Sequence, residues 1–175
     1  LSNISCDNQG NVFITGYSNG DLFSPSTGAY DFILAKYDAS GNKIWDKQFG
    51  TNSTDYLLDA CVSTTGNILI AGFTAGNFKG ANNGTNDIVM AEYNSNGVEM
   101  WAKQIGTSFD ERAVTIATDL SGNIYIGGRK VESATTDMTF IDKYTSTGNL
   151  VWTKESNISA TEYLAHHPSQ AKWEC

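Results

Sequence analysis

The chain has 175 residues, 40% of them hydrophobic, and a formal charge of −8 with only 11 Lys and Arg. That length builds one domain with a real core, and acidity without a basic cluster repels nucleic acid and anionic membrane surfaces. No apolar run nears the roughly 20 residues that span a bilayer, so membrane insertion is not expected.

The elements come as a repeat. Gly10-Asn11 returns as Gly66-Asn67 and Gly122-Asn123 at intervals of 56 residues, and Gly16, Gly72 and Gly128 keep the same interval. In the first unit, 1–50, "DNQGNVFITGYS" turns one strand into the next, and "YDASGNKIW" ends on Trp45. The second unit, 51–106, is the clearest. "LLDACVS" (57–63), a "TTGN" turn and "ILIAGFT" (68–74) lead through a long loop to "DIVMAEY" (87–93), an "NSNG" turn and "VEMWAKQI" (98–105). The third unit, 107–156, is shortened between its second and third strands, so Trp152 follows Trp101 by 51 residues.

Branched and aromatic residues fill the strands, and turns with Asp, Ser, Thr or Asn first and Gly last have hairpin chemistry. Beyond Ser156 the pattern fades into an irregular tail, 157–175, or the start of a further blade at Tyr163. Leu1 opens inside the pattern, and a processed or excerpted chain is expected; no signal-peptide pattern is present.

Four antiparallel strands repeated every 51 to 56 residues predict an all-β chain of three β-propeller blades. The repeated glycines belong where blades converge near the axis. Trp45, Trp101 and Trp152 fall early in each outermost strand, where an indole buries roughly 200 Å² against the next blade. Closed rings usually take 4–8 blades, so the expected partners include further blades or other copies of the chain. Three Cys without tight spacing give no disulfide framework or zinc site. Cys6 and Cys61 read as buried free thiols.

"DNQGNVFITGYS", "TGAYDFILAKYDASGNKIW" and "QFG…D" together resemble the bacterial seven-bladed β-propeller (SBBP) repeat family over nearly all of 1–155. "AKYDASGNKIW" is also similar to the tryptophan-docking motif of pyrroloquinoline-quinone dehydrogenase propellers, a structural motif that implies no cofactor here. The third copy departs from the pattern. It lacks the Gly of "QFG" and "QIG", and Asp137 matches Asp31 and Asp87 only with a one-residue slip.

The tight turns of each blade share one face, and the long loops gather on the other, where propellers bind. That face carries Asp21, Phe23, Tyr30, Asn77, Phe78, Asn82, Asn83, Asn86, Phe109, Asp110 and Arg112. Asn with exposed aromatics suits protein or glycan; the same residues also suit Asx-turns that merely close the loops. The Asp-rich turns lack the later oxygen ligands of a calcium loop, so no metal is expected. His166 and His167, the only histidines, lie in the tail, so a catalytic triad would need the tail to fold back. Asp55, Asp59, Asp110 and Glu111 offer carboxylates for glycoside cleavage, but Asp55 and Asp110 read as matching framework positions.

The expectation is a non-catalytic scaffold and recognition module, extracellular or on the cell surface and without cofactor. The alternatives are part of a quinone-dependent or glycan-cleaving propeller enzyme, and a self-assembling structural protein.

Overall fold

The hairpin turns set the architecture. Asp7 accepts hydrogen bonds from the backbone N–H groups of Gln9 and Asn11, both at 2.9 Å, and Gly10 at a φ of 80° brings the chain back. Asp38 and Asp119 do the same, and Asn94 does it with its amide oxygen. In the computed structural model, which describes residues 1–133 and 136–157, such turns join twelve strands with no helix among the described residues. Tyr163, His166, His167, Pro168 and Cys175 lie outside the described residues.

The first sheet holds β1 (Asn3–Cys6), β2 (Val12–Ser18), β3 (Asp31–Tyr37) and β4 (Lys43–Phe49). The second holds β5 (Asp55–Val62), β6 (Ile68–Thr74), β7 (Asp87–Tyr93) and β8 (Glu99–Ile105). The third holds β9 (Asp110–Thr118), β10 (Ile124–Val131), β11 (Asp137–Tyr144) and β12 (Leu150–Asn157). All three are antiparallel, with strands side by side in chain order. The first strands, β1, β5 and β9, contact one another in succession, while β4, β8 and β12 make no comparable contact with each other. The sheets therefore fan out from a shared inner edge: they are three propeller blades, and among the described residues they do not close a ring.

The middle blade is apolar on both faces because it has a neighbour on each. Val89, Ala91 and Tyr93 of β7 pack with Phe32 and Leu34 of the first blade. Ile88 and Met90, on the opposite face, pack with Ile124, Ile126 and Phe140 of the third. Facing sheets that interdigitate in this way make one core per interface. By contrast every residue of β12 is exposed.

Each outer strand holds one extra residue, a bulge that the sequence reading missed. Lys36 pairs with Trp45 and Tyr37 with Lys43, which leaves Ile44 unpaired; Met100 and Val151 are its counterparts. The bulge residues point outward, and Ile44, Met100 and Val151 are all more than half exposed. A bulge re-aims the side chain beside it, and here that side chain is the tryptophan. Trp45 and Trp101 are half-buried against the next blade, where Trp45 donates from Nε1 to Ser95 O at 3.0 Å. Trp152 is 38% exposed, and no further blade lies against it among the described residues.

Two expectations are corrected. A side chain on Gly72 would lie 2.0 Å from the carbonyl oxygen of Tyr56, and one on Gly128 would lie 2.3 Å from that of Arg112. These glycines therefore make room for the bulged first strand of their own blade, at Leu57/Asp59 and Ala113/Thr115, rather than for a neighbouring blade. Cys61 is buried but Cys6 is exposed, because no other blade covers that face of the first blade among the described residues.

The turn carboxylates make stability depend on acid. The Asn123 side chain is the chief cause that holds the Asp119 carboxyl below its ordinary value of 3.8. A depressed folded pKa gives stability present above 3.8 and lost as pH falls through the folded pKa. Asp119→Asn keeps the two backbone contacts, as Asn94 does, but turns an amide toward the Asn123 Nδ2 donor that Asp119 Oδ2 now accepts from at 2.7 Å. The variant should melt lower than the parent at pH 7, and the gap should close below pH 3.8. Parallel Tm-against-pH curves would refute this account of the turn.

Candidate functional site

The long loops are closed by a lock built on two matched residues. In the first blade Gln48 Oε1 accepts from the backbone N–H groups of Leu22 and Phe23 at 2.9 and 3.1 Å. Its Nε2 donates to Gly20 O and to Asp31 Oδ2. Gln104 repeats the lock with Phe78, Lys79, Gly76 O and Asp87. Asp31 is buried, which raises its pKa, but the hydrogen bonds from Gln48 and Thr27 outweigh this and hold it below the ordinary value. In the third blade the position belongs to Glu155, which instead faces Lys130 at 3.6 Å.

Asp55 closes the inter-blade loop. It accepts from the Thr51 N–H at 2.6 Å and from the hydroxyls of Thr51 and Thr74, and burial, the leading cause, pushes its pKa up. Its counterpart is Glu111, which takes the same bonds from Thr107. This corrects the match with Asp110, which stands at the position of Thr54, as the parallel bridges Tyr30–Thr54 and Asn86–Asp110 show. Asp59 accepts from Asn3 Nδ2 at 2.6 Å and from Thr115 Oγ1 at 2.8 Å, so it ties all three innermost strands together. With these bonds, Asp55, Asp59 and Glu111 hold the frame together.

Several loop-face candidates also close loops. Asp21 accepts from Ser26 N–H, and Asn77 from Asn82 N–H, both at 2.8 Å. Asn82 bonds Ala75 O and Gly84 O, and Asn83 donates its N–H to Asp87. Phe78 packs edge-on against Phe32 at 5.4 Å and joins the core between the first two blades. Phe23 and Phe78 also line an open groove of about 700 Å³ between those blades, with Lys47, Lys79 and Glu99. Phe109 lies beside Lys130, 5.3 Å from its ammonium.

The remaining candidates, Tyr30, Asn86, Asp110 and Arg112, meet at the inner edge of the loop face, where they join residues the sequence reading passed over. Tyr17, at the end of β2, contacts Tyr30 at 5.6 Å and Tyr56 at 4.4 Å, both edge-on. Tyr30 stacks on Tyr56 at 5.2 Å, and Tyr56 leans on Phe73 at 5.0 Å. The Arg112 guanidinium lies 5.0 Å over the Phe73 ring. It is held there by two bonds to Asp110, at 2.9 and 2.8 Å, while Asn86 Nδ2 donates to the same carboxylate at 2.7 Å. Burial raises the Asp110 pKa, but bonds from Arg112 and Asn86 bring it below the ordinary value, so it is ionised at neutral pH.

The group is an aromatic plate with a braced cation at one end. Tyr17, 39% exposed, and Arg112, with 39% of its side chain exposed, form its open surface. Its signal in the sequence is a contrast between neighbours. Gly16, Gly72 and Gly128 are unvarying, yet the next residues are Tyr17, Phe73 and Arg129.

The comparisons with known proteins agree with this frame. The SBBP model, described as a beta-propeller repeat, matches residues 2–24, which hold β1, β2 and the turn between them. An uncharacterized WD repeat-containing protein of Acanthamoeba polyphaga mimivirus is 21% identical over 166 residues, covering 71% of this chain. The chain spans 12% of that protein's length.

Proposed function

We propose that this chain is a non-catalytic propeller scaffold whose aromatic plate, Tyr17, Tyr30, Tyr56 and Phe73 with Arg112, recognises a protein segment in an extracellular or cell-surface setting. The observation that carries the reading is the pairing of rigid, part-exposed tyrosines with an arginine already oriented by Asp110. Tyrosine and arginine dominate the energetics of protein interfaces, and a side chain held in place beforehand loses less entropy on binding. A non-catalytic role is supported by the carboxylates: Asp31, Asp55, Asp59, Asp87 and Glu111 are each committed to loop or blade closure. The acidic surface, rich in Asn, Ser, Thr and Gly, goes with a setting outside the cytoplasm.

Peptide and glycan arrays test the reading. Binding to a set of peptides is expected, with affinity falling at least tenfold in Arg112→Ala and Tyr17→Ala and unchanged in Phe23→Ala, which alters the groove between blades instead. Silence on both arrays would leave only the scaffold. Binding to glycans alone would replace protein by sugar as the ligand class.

A further inference from the structure

The two blade interfaces are filled differently. Between the first and second blades, Phe78 packs against Phe32 at 5.4 Å and Phe49 at 6.0 Å. These rings complete the core that holds Ala91, which is fully buried. Between the second and third blades, Ile88 and Ile105 stand where Phe32 and Phe49 pair. The segment that would bring a third ring is cut to 132–136, against 75–86 in the second blade, and holds no aromatic residue. Three rings give way to two smaller side chains, and a cavity of about 170 Å³ lies between these blades. It opens to solvent past Leu150 and Thr153, both exposed.

Ala91 is replaced as well, by Asp142. Asp142 pairs with the residue after Trp152, as Ala91 pairs with the residue after Trp101. It lines the cavity and is only 7% exposed. Its Oδ2 accepts from the Tyr144 hydroxyl at 2.9 Å, whereas its Oδ1 is buried with no hydrogen-bond partner. An unpaired carboxylate oxygen is costly to bury, and Ala91 shows that the fold does not require a carboxylate at this position. Sites that break a local rule in this way are where function is expected.

The other charged side chains around the cavity are engaged elsewhere. Glu111 accepts from Thr107, and Lys130 lies 2.9 Å from Glu132 and 3.6 Å from Glu155. Among the described lining residues, Asp142, Glu111 and Glu155 stand against Lys130 alone, an excess of negative charge. A cation would balance it. No three His, Cys, Asp or Glu side chains among the described residues are placed to hold a metal ion, and Ile88, Ile105 and Phe140 offer hydrocarbon walls.

We propose that this cavity is a second binding site, separate from the aromatic plate, and that it takes a small organic ammonium. The N–H groups meet Asp142 Oδ1, and the hydrocarbon body lies against Ile88, Ile105 and Phe140. An ammonium brings both the donor and the opposite charge that a buried carboxylate needs. The volume sets the size of the body, since an apolar cavity of roughly 150 Å³ admits benzene.

Titration of the 175-residue chain with n-pentylammonium chloride at neutral pH, followed by backbone amide NMR signals, tests the site. Binding should saturate with a Kd on the order of 1 mM or below, with the largest shifts at Asp142 and Tyr144. Pentan-1-ol and pentanoate should bind at least tenfold more weakly. Asp142→Asn keeps an acceptor for Tyr144 and should weaken the ammonium at least tenfold while leaving the alcohol unchanged. Ile105→Phe restores the ring of the first interface and should block both. Saturation by n-pentylammonium that survives either substitution overturns the proposal. Equal affinities for ammonium and alcohol in the parent chain overturn it without any variant, as does a titration that shows no saturation by ~50 mM.

Discussion

Replacing Trp101 by alanine lowers the free energy of unfolding by about 3–5 kcal/mol, the range for truncating a large packed aromatic. The indole packs on the core formed with the third blade, donates from Nε1 to Glu92 Oε2 at 2.7 Å and lies against Gly148. Truncation empties that space and removes the donor to Glu92 Oε2, while Asn67 Nδ2 still donates to Oε1 at 2.7 Å. A chain of this size should lose roughly 2–4 °C of Tm for each kcal/mol. The loss falls on one interface, and in a repeat chain stability is a sum of unit and neighbour terms. The third blade has only that neighbour among the described residues, so it should melt first, reported by a shift in Trp152 fluorescence ahead of the main transition. Trp152→Ala should move the midpoint far less, because its indole, 38% exposed, packs on Tyr125 of its own blade and on no other blade among the described residues. If Trp101→Ala were equally silent, the blade-docking account of these tryptophans would be wrong.

The blades were legible in the sequence because identical neighbours impose identical residues. A glycine that ends a tight turn and a tryptophan that presses on the next blade's turn meet the same surroundings each time, so they recur at a fixed interval. The bulge at Ile44, Met100 and Val151 left no such trace, since an extra apolar residue in a strand looks like any other strand residue. Asp55 was matched to Asp110 by chemical likeness, although the 56-residue interval points to Glu111, and the shared bonds to Thr51 and Thr107 decide for the interval.

The site was less legible than the frame. Most polar residues in the long loops satisfy their own loop, as Asp21, Asn77 and Asn82 do, and their composition is the same whether or not anything binds. Tyr17, Tyr56 and Phe73 were hidden for the opposite reason: they lie at strand ends and read as ordinary strand aromatics. Only the three-dimensional convergence of a strand end, a loop and a strand start brings Tyr17, Tyr30 and Tyr56 into contact.

The plate also depends on the bulge beneath it, which sets the second large effect. Gly72 has no left-handed φ, so its missing side chain matters for space alone. An added methyl would lie 2.0 Å from the Tyr56 carbonyl oxygen and 2.9 Å from Leu57 Cα. Both are backbone atoms of β5, which cannot rotate away and which is wedged between β1 and β9. Gly72→Ala should therefore cost at least the roughly 1–3 kcal/mol typical of overpacking. Because the strand that must yield carries Tyr56, peptide binding should weaken in parallel. Gly127→Ala is the comparison: its methyl crowds the Thr115 side-chain methyl at 2.9 Å and no backbone atom nearer than 4.0 Å, so the smaller adjustment falls on the Thr115 side chain and its bond to Asp59. Denaturant unfolding of the two variants separates the cases. A Gly72→Ala protein as stable as Gly127→Ala would mean that β5 does not press on β6 at this point, and the placement of Tyr56 beside Tyr17 would lose its foundation.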